Sequence, residues 1–171
     1  MTDLTSRRLV VAGFGLGLLT MSTSDSLALE ERPERKGSTQ MTEKKIRDIF
    51  DRYIAALNAH QMDRMTEFVH DKVVQNLKLV SREDVISDLK GHINAVPDFR
   101  WRVRDVVVEG DTIAARLFNI GTPAKSWLGI EPTGKTVETL EFAFHKVRDG
   151  KFYEMNYAMD VIGLRKRLGL R

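Results

Sequence analysis

The chain has 171 residues, 42% hydrophobic and 30% charged, with a formal net charge of +3 and no cysteine. That length suits one domain plus a short appendage, and the composition is that of a globular protein. The missing thiols exclude disulfides, zinc–thiolate centres and cysteine nucleophiles. So small a net charge lacks the dense basic footprint of a nucleic-acid binder, although the pI is about 9.2.

Ser6-Arg7-Arg8 precede an apolar run of 13 residues, Leu9 to Met21. The run is too short to span a bilayer and suits the core of a signal peptide. Ser26 and Ala28 are the small residues that a signal peptidase reads. The paired arginines resemble a twin-arginine export signal, with Val10 and Val11 where Phe and Leu are usual. Residues 1–28 are therefore expected to be a signal peptide of that type, 29–41 a polar linker and 42–171 the folded domain. The product would be periplasmic or secreted, with no stable membrane insertion after processing. The alternative takes Met41, next to the first good helix, as the true start of a cytoplasmic protein.

Thr42 is a suitable N-cap, and Ile46, Ile49, Phe50, Tyr53, Ile54 and Leu57 recur at helical spacing behind it. Asn58 to Gln61 breaks the pattern. A short second helix would face Met62, Met65, Phe68 and Val69 inward. Val73 to Val80 reads as a brief strand. Ser81-Arg82-Glu83-Asp84 resembles a capping box and starts a third helix, carrying Val85, Ile86, Leu89 and Ile93 and ending before Pro97. The period then changes to two. Strands are predicted from Phe99 to Val108, Thr112 to Gly121, Val137 to Val147 and Phe152 to Asp160. Hairpin turns at Glu109-Gly110-Asp111 and Asp149-Gly150 join them in pairs, and a closing helical turn follows. Helices followed by long paired strands predict an α+β domain, with three N-terminal helices packed in a curved antiparallel sheet and a ligand cavity between the layers.

Four motifs stand in order: Tyr53-Ile54-Ala55-Ala56-Leu57-Asn58-Ala59-His60, Pro97-Asp98-Phe99-Arg100-Trp101, Leu128-Gly129-Ile130 with Pro132-Thr133-Gly134-Lys135, and Asp149-Gly150-Lys151 with Asp160-Val161-Ile162-Gly163-Leu164. They resemble the opening helix, the entry into the sheet, the loop and the ending of one family, the SnoaL-like polyketide (ester) cyclases of the nuclear-transport-factor-2-like fold. The resemblance spans roughly residues 45–170 and implies a cone-shaped fold. It also implies an enzyme of ester cyclase or isomerase type that uses a pocket Asp as general acid/base on an apolar carbonyl substrate, without cofactor. Two departures, Asn156 for a usual Trp and Pro123 for a frequent His, support the alternative of a non-catalytic small-molecule-binding module.

The resemblance assigns the acid/base role to Asp160. A carboxylate in an apolar cavity has its pKa raised toward working pH, so that it can take a proton from carbon and later return one to oxygen. Asn156 shares its parity on the last strand and is expected to hydrogen-bond a carbonyl, with His145 a further catalytic candidate. Asp160 is equally suited to cap the terminal helix. On the preceding strand the Phe142 and Phe144 face is expected to be buried, so Glu141 and His145 would enter the pocket only through a bulge or sheet curvature. Tyr53, Asn76, Trp127, Glu141, Met155 and Met159 complete the expected substrate contacts. Core packing for Tyr53, backbone satisfaction for Asn76 and a surface-resting loop for Trp127 are the plainer readings. His60, His70 and His92 lack ligand spacing, so no metal is expected. Arg100, Arg102 and Arg104 suit a solvated sheet face. The expected partners are an apolar small molecule and further copies of the chain, as a homodimer or tetramer.

Overall fold

The computed structural model describes residues 41–170, and both the expected export signal and nearly all of the expected tether lie outside them. Helix α1, Glu43–Asn58, is capped by the Thr42 hydroxyl, and its apolar stripe from Ile46 to Leu57 is buried. A 3-10 turn, Met62–Arg64, and the single-turn α2, Met65–Phe68, bury Met62, Met65 and Phe68. The expected brief strand is in fact a hairpin of β1, Val69–Gln75, and β2, Lys78–Ser81. Its two-residue turn places Asn76 and Leu77 at positive φ, 45° and 68°, the twist that joins antiparallel strands most tightly. Helix α3, Arg82–Ala95, starts on the complete capping box formed by Ser81 and Asp84.

Four long strands follow: β3, Arg100–Glu109, β4, Thr112–Gly121, β5, Val137–Arg148, and β6, Lys151–Met159. Helix α4, Val161–Arg167, ends the domain. The strands form one curved sheet in the order β2-β1-β6-β5-β4-β3. Pairing is antiparallel except between β1 and β6, which run parallel. No hairpin joins those two, so no turn dictates their relative direction.

Helix α1 is tied to the edge strand at Asn58, whose backbone carbonyl accepts from Arg100 Nη1 at 2.9 Å. Asn58 Oδ1 accepts from the Trp101 amide at 2.8 Å, and its Nδ2 donates to the Trp101 carbonyl at 3.0 Å. The amide thereby replaces the missing neighbour of β3 and blunts that edge. At the far end of β4, a Cβ on Gly121 would lie 2.3 Å from the Val96 side chain, so only glycine lets α3 end so close to the sheet.

Candidate functional site

The inner face of β5 determines the site. Along this strand Val137, Thr139, Glu141, Ala143, His145 and Val147 are buried, whereas Phe142 and Phe144 stand 57% and 47% exposed. This corrects the expectation that the phenylalanine face points inward. Helix α1 supplies the bulky core residues Phe50, Tyr53 and Leu57. The strand opposite needs only small or polar side chains, and it keeps its aromatics for the outer surface.

Strand β6 reverses the other expectation. Lys146 pairs with Glu154 while Val147 pairs with Phe152, so Tyr153 is an extra residue in β6. A bulge of one residue flips every side chain beyond it. Phe152 is inward, and after the bulge Met155, Tyr157 and Met159 line the cavity. Asn156 falls on the outer face, opposite Phe144.

Between helices and sheet lies a narrow cavity of about 40 Å³, room for a few water molecules, so a larger ligand enters only by displacing side chains. Its apolar wall comes chiefly from Phe50, Ile54, Leu57, Trp101, Leu117 and Met155. Its polar residues are Tyr53, Gln75, Asp88, His92, Glu141, His145 and Tyr157, with no lysine or arginine among them. Of the residues expected from sequence, the structure brings together Tyr53, Glu141, His145, Met155 and Met159.

Glu141 is 6% exposed, and Asn119 Nδ2 donates to its Oε2 at 2.5 Å. Burial raises its pKa above the ordinary carboxylate value, Asn119 opposes the rise, and the charge of Asp88 adds to it. His145 is fully enclosed beside Phe152, and burial pushes its imidazole down to about 4, so it is neutral near pH 7. Its Nδ1 and the Oδ1 of Asn119 are buried without hydrogen-bond partners. Burial also raises the Tyr53 hydroxyl, followed by the charge of Glu141. At the other end of the cavity, Asp88 Oδ2 accepts from the Tyr157 hydroxyl at 2.5 Å and from Gln75 Nε2 at 3.1 Å. Burial and then Asp88 raise the Tyr157 hydroxyl.

The remaining expected residues lie elsewhere. Asp160 is outside the cavity lining. Its Oδ1 accepts from the Gly163 amide at 2.7 Å as the N-cap of α4, and its side chain is 42% exposed. A Cβ on Gly163 would lie 1.9 Å from that carboxylate, so the glycine belongs to the cap. Asn76 holds the hairpin to β6, accepting from the Tyr157 amide at 2.9 Å. Trp127 is neither an open lid nor a surface residue. It is 4% exposed, and its indole N–H donates to His92 Nδ1 at 2.9 Å. On the outer face Arg102 pairs with Glu138.

Sequence reasoning missed Gln75, Asp88, Asn119 and Tyr157 and passed over His92. Asp88 and His92 sit one turn apart beside Val85 and Leu89, the buried stripe of α3. That spacing was the one available signal. Among the described residues no group of three or more His, Asp or Glu could hold a metal ion.

An α+β cone with a polar-tipped apolar cavity defines the class, and comparison with known proteins gives the family. The family model for SnoaL-like polyketide cyclase matches residues 47–168, and the chain belongs to that family. Among solved structures, a SnoaL-like polyketide cyclase from Agrobacterium tumefaciens is 25% identical with a TM-score of 0.69, the alignment covering 72% of this chain and 98% of that one. IdmH from Streptomyces antibioticus is 23% identical with a TM-score of 0.66, covering 73% and 99%. TsrD from Streptomyces laurentii is 22% identical with a TM-score of 0.69, covering 77% and 100%. The latter two establish the fold alone. A search of curated protein sequences finds no match.

Proposed function

We propose that the domain is an acid–base enzyme of the cyclase or isomerase type acting on an apolar carbonyl compound, with Glu141 as the proton carrier. The single observation behind this is a buried carboxyl group facing a cavity whose lining holds no lysine or arginine. Desolvation brings its two protonation states closer in energy, so it can both accept and return a proton. In the proposed cycle the Glu141 carboxylate removes a proton from the carbon beside a carbonyl. The C–H electron pair becomes an enolate, which attacks a second carbonyl carbon of the same molecule or is reprotonated elsewhere. In the first case a C–C bond forms, and Glu141 returns its proton to the new alkoxide. Nothing is oxidised or reduced.

The first half of this cycle is testable without the native substrate. With an aryl ketone such as tetralone in D2O, mass spectrometry should show deuterium at the carbon beside the carbonyl faster with protein than with buffer. Glu141→Gln should abolish the difference. Exchange that persists in the variant removes the role given to Glu141, and wild-type protein that causes no exchange removes the enzymatic reading.

A non-catalytic carrier of the same fold is the second reading. It is favoured by the fact that Asp160, the carboxylate to which the resemblance points, serves as a helix cap. It predicts an unchanged apolar ligand in the cavity of the purified protein.

A further inference from the structure

Building on the acid–base reading, we infer that His92 is the hydrogen-bond donor to the substrate carbonyl oxygen, and that Trp127 is a positioning residue that fixes His92 in the tautomer able to donate. The argument starts from the indole nitrogen, which can only donate. Trp127 Nε1 lies 2.9 Å from His92 Nδ1. Nδ1 must therefore offer its lone pair, and the ring proton must be on Nε2. Among the described residues Nε2 has no hydrogen-bond partner, and His92 stands between the cavity that holds Glu141 and an outer groove lined by Ser126 and Leu128.

The surroundings hold this arrangement. Phe99 stacks on the imidazole with ring centroids 5.7 Å apart, and Trp127 meets it edge-on at 6.2 Å. Trp127 is itself seated by a miniature hairpin, its amide bonding to the Ile130 carbonyl at 3.0 Å and the reverse bond measuring 2.9 Å. Leu128 and Gly129 at the tip both have positive φ, the geometry of a two-residue turn. Ile130 is buried beside Trp127, so both ends of the hairpin are anchored. Asp88, one turn before His92, is the carboxylate that could draw a proton onto the ring, but Tyr157 and Gln75 both donate to its Oδ2. Burial lowers the His92 pKa further, against the pull of Asp88. The result is a neutral imidazole with a fixed N–H. Such a donor stabilises an enolate oxygen without giving up its proton and pays no reorganisation when charge develops. Glu141 moves the proton, and His92 makes no covalent change.

The tautomer is measurable without turnover. Long-range proton–nitrogen correlation spectra of the wild-type protein should show Nδ1 of His92 unprotonated and Nε2 protonated at neutral pH. A protonated Nδ1, or rapid exchange between tautomers, overturns the inference whatever the protein does to a ketone. Trp127→Phe keeps an aromatic ring but removes the N–H, and should release His92 into mixed tautomers. It should also slow tetralone exchange about tenfold at saturating ketone, with KM unchanged, and a fixed Nε2–H tautomer in this variant overturns the positioning role. His92→Phe should slow exchange about a hundredfold. His92→Gln, whose carbonyl can accept from Trp127 while its amide donates, should recover most of that loss. Equal rates for the Phe and Gln variants, both folded, also refute the inference. Absence of exchange in the wild type would sink the enzymatic reading while leaving the tautomer result to be judged separately.

Discussion

Asn119 reaches across from β4 to place its amide nitrogen 2.5 Å from Oε2 of Glu141, and it is the only side chain among the described residues that hydrogen-bonds this carboxyl group. A neutral amide partner leaves burial to dominate, and the carboxyl pKa rises above its ordinary 4.5. The folded chain therefore keeps a proton that the unfolded chain has lost. Stability is at its full value below that ordinary pKa and declines as pH rises through the folded one. Glu141→Gln removes this decline. Urea midpoints between pH 4 and 8 should fall with pH in the wild type relative to the variant, and parallel curves would contradict the buried-acid assignment.

His145 works in the opposite direction. Its imidazole is neutral in the fold down to about pH 4, whereas the unfolded chain takes up a proton near 6.5. Stability from this group is present above 6.5 and is lost as pH falls toward 4. The shift corresponds to roughly 3 kcal/mol at most. His145→Gln should flatten the acid limb of a thermal-unfolding series, which a surface histidine would leave unchanged.

Asp160 and Glu141 make different predictions for the same assay. Asn is as good an N-cap as Asp, so Asp160→Asn should keep stability within about 0.5 kcal/mol. Deuterium exchange should also be unchanged. Asp160→Ala should cost about 1 kcal/mol in urea unfolding, again without loss of exchange. An Asp160→Asn protein that is folded and inert would transfer the proton chemistry from Glu141 to Asp160.

The outer sheet face carries Phe142, Phe144 and Val107 in the open, flanked by Ala114 and Ala158. We propose that a second copy of the chain covers it, since so contiguous an apolar area on one face marks an interaction surface. Sedimentation should give a dimer mass for residues 41–171 and a monomer mass for the double variant Phe142→Asp, Phe144→Asp, with the tetralone reaction of the cavity still measurable. A wild-type mass of one chain removes the proposal.

Much of the architecture is encoded locally and was legible. Alternation and the Gly110 and Gly150 turns predict β4 and β5 to within a residue. Ser81 and Asp84 form the capping box that their spacing suggests. The sides of the strands were not legible. Which face of β5 looks inward depends on helix α1 filling the core from the opposite side, and the parity of β6 depends on a register shift against β5. Both are non-local. The approach of Trp127 to His92 joins residues 35 apart in sequence and depends on the loop that folds back over α3. Asp160 stood at the right place in the motif, and only the geometry of α4 shows that its carboxylate is tied to the Gly163 amide.

Tyr153 is the one residue of β6 that its pairing with β5 can lose without a shift of register. Without it Phe152 and Glu154 would still lie opposite Val147 and Lys146, so Met155, Tyr157 and Met159 would keep facing the ligand. Strand count and hairpin connection would be unchanged. The cavity lining is therefore indifferent to a change of chain length at this one point. Drift by deletion there is thus absorbed by the hairpin, and new ligands come to this scaffold through side-chain replacement.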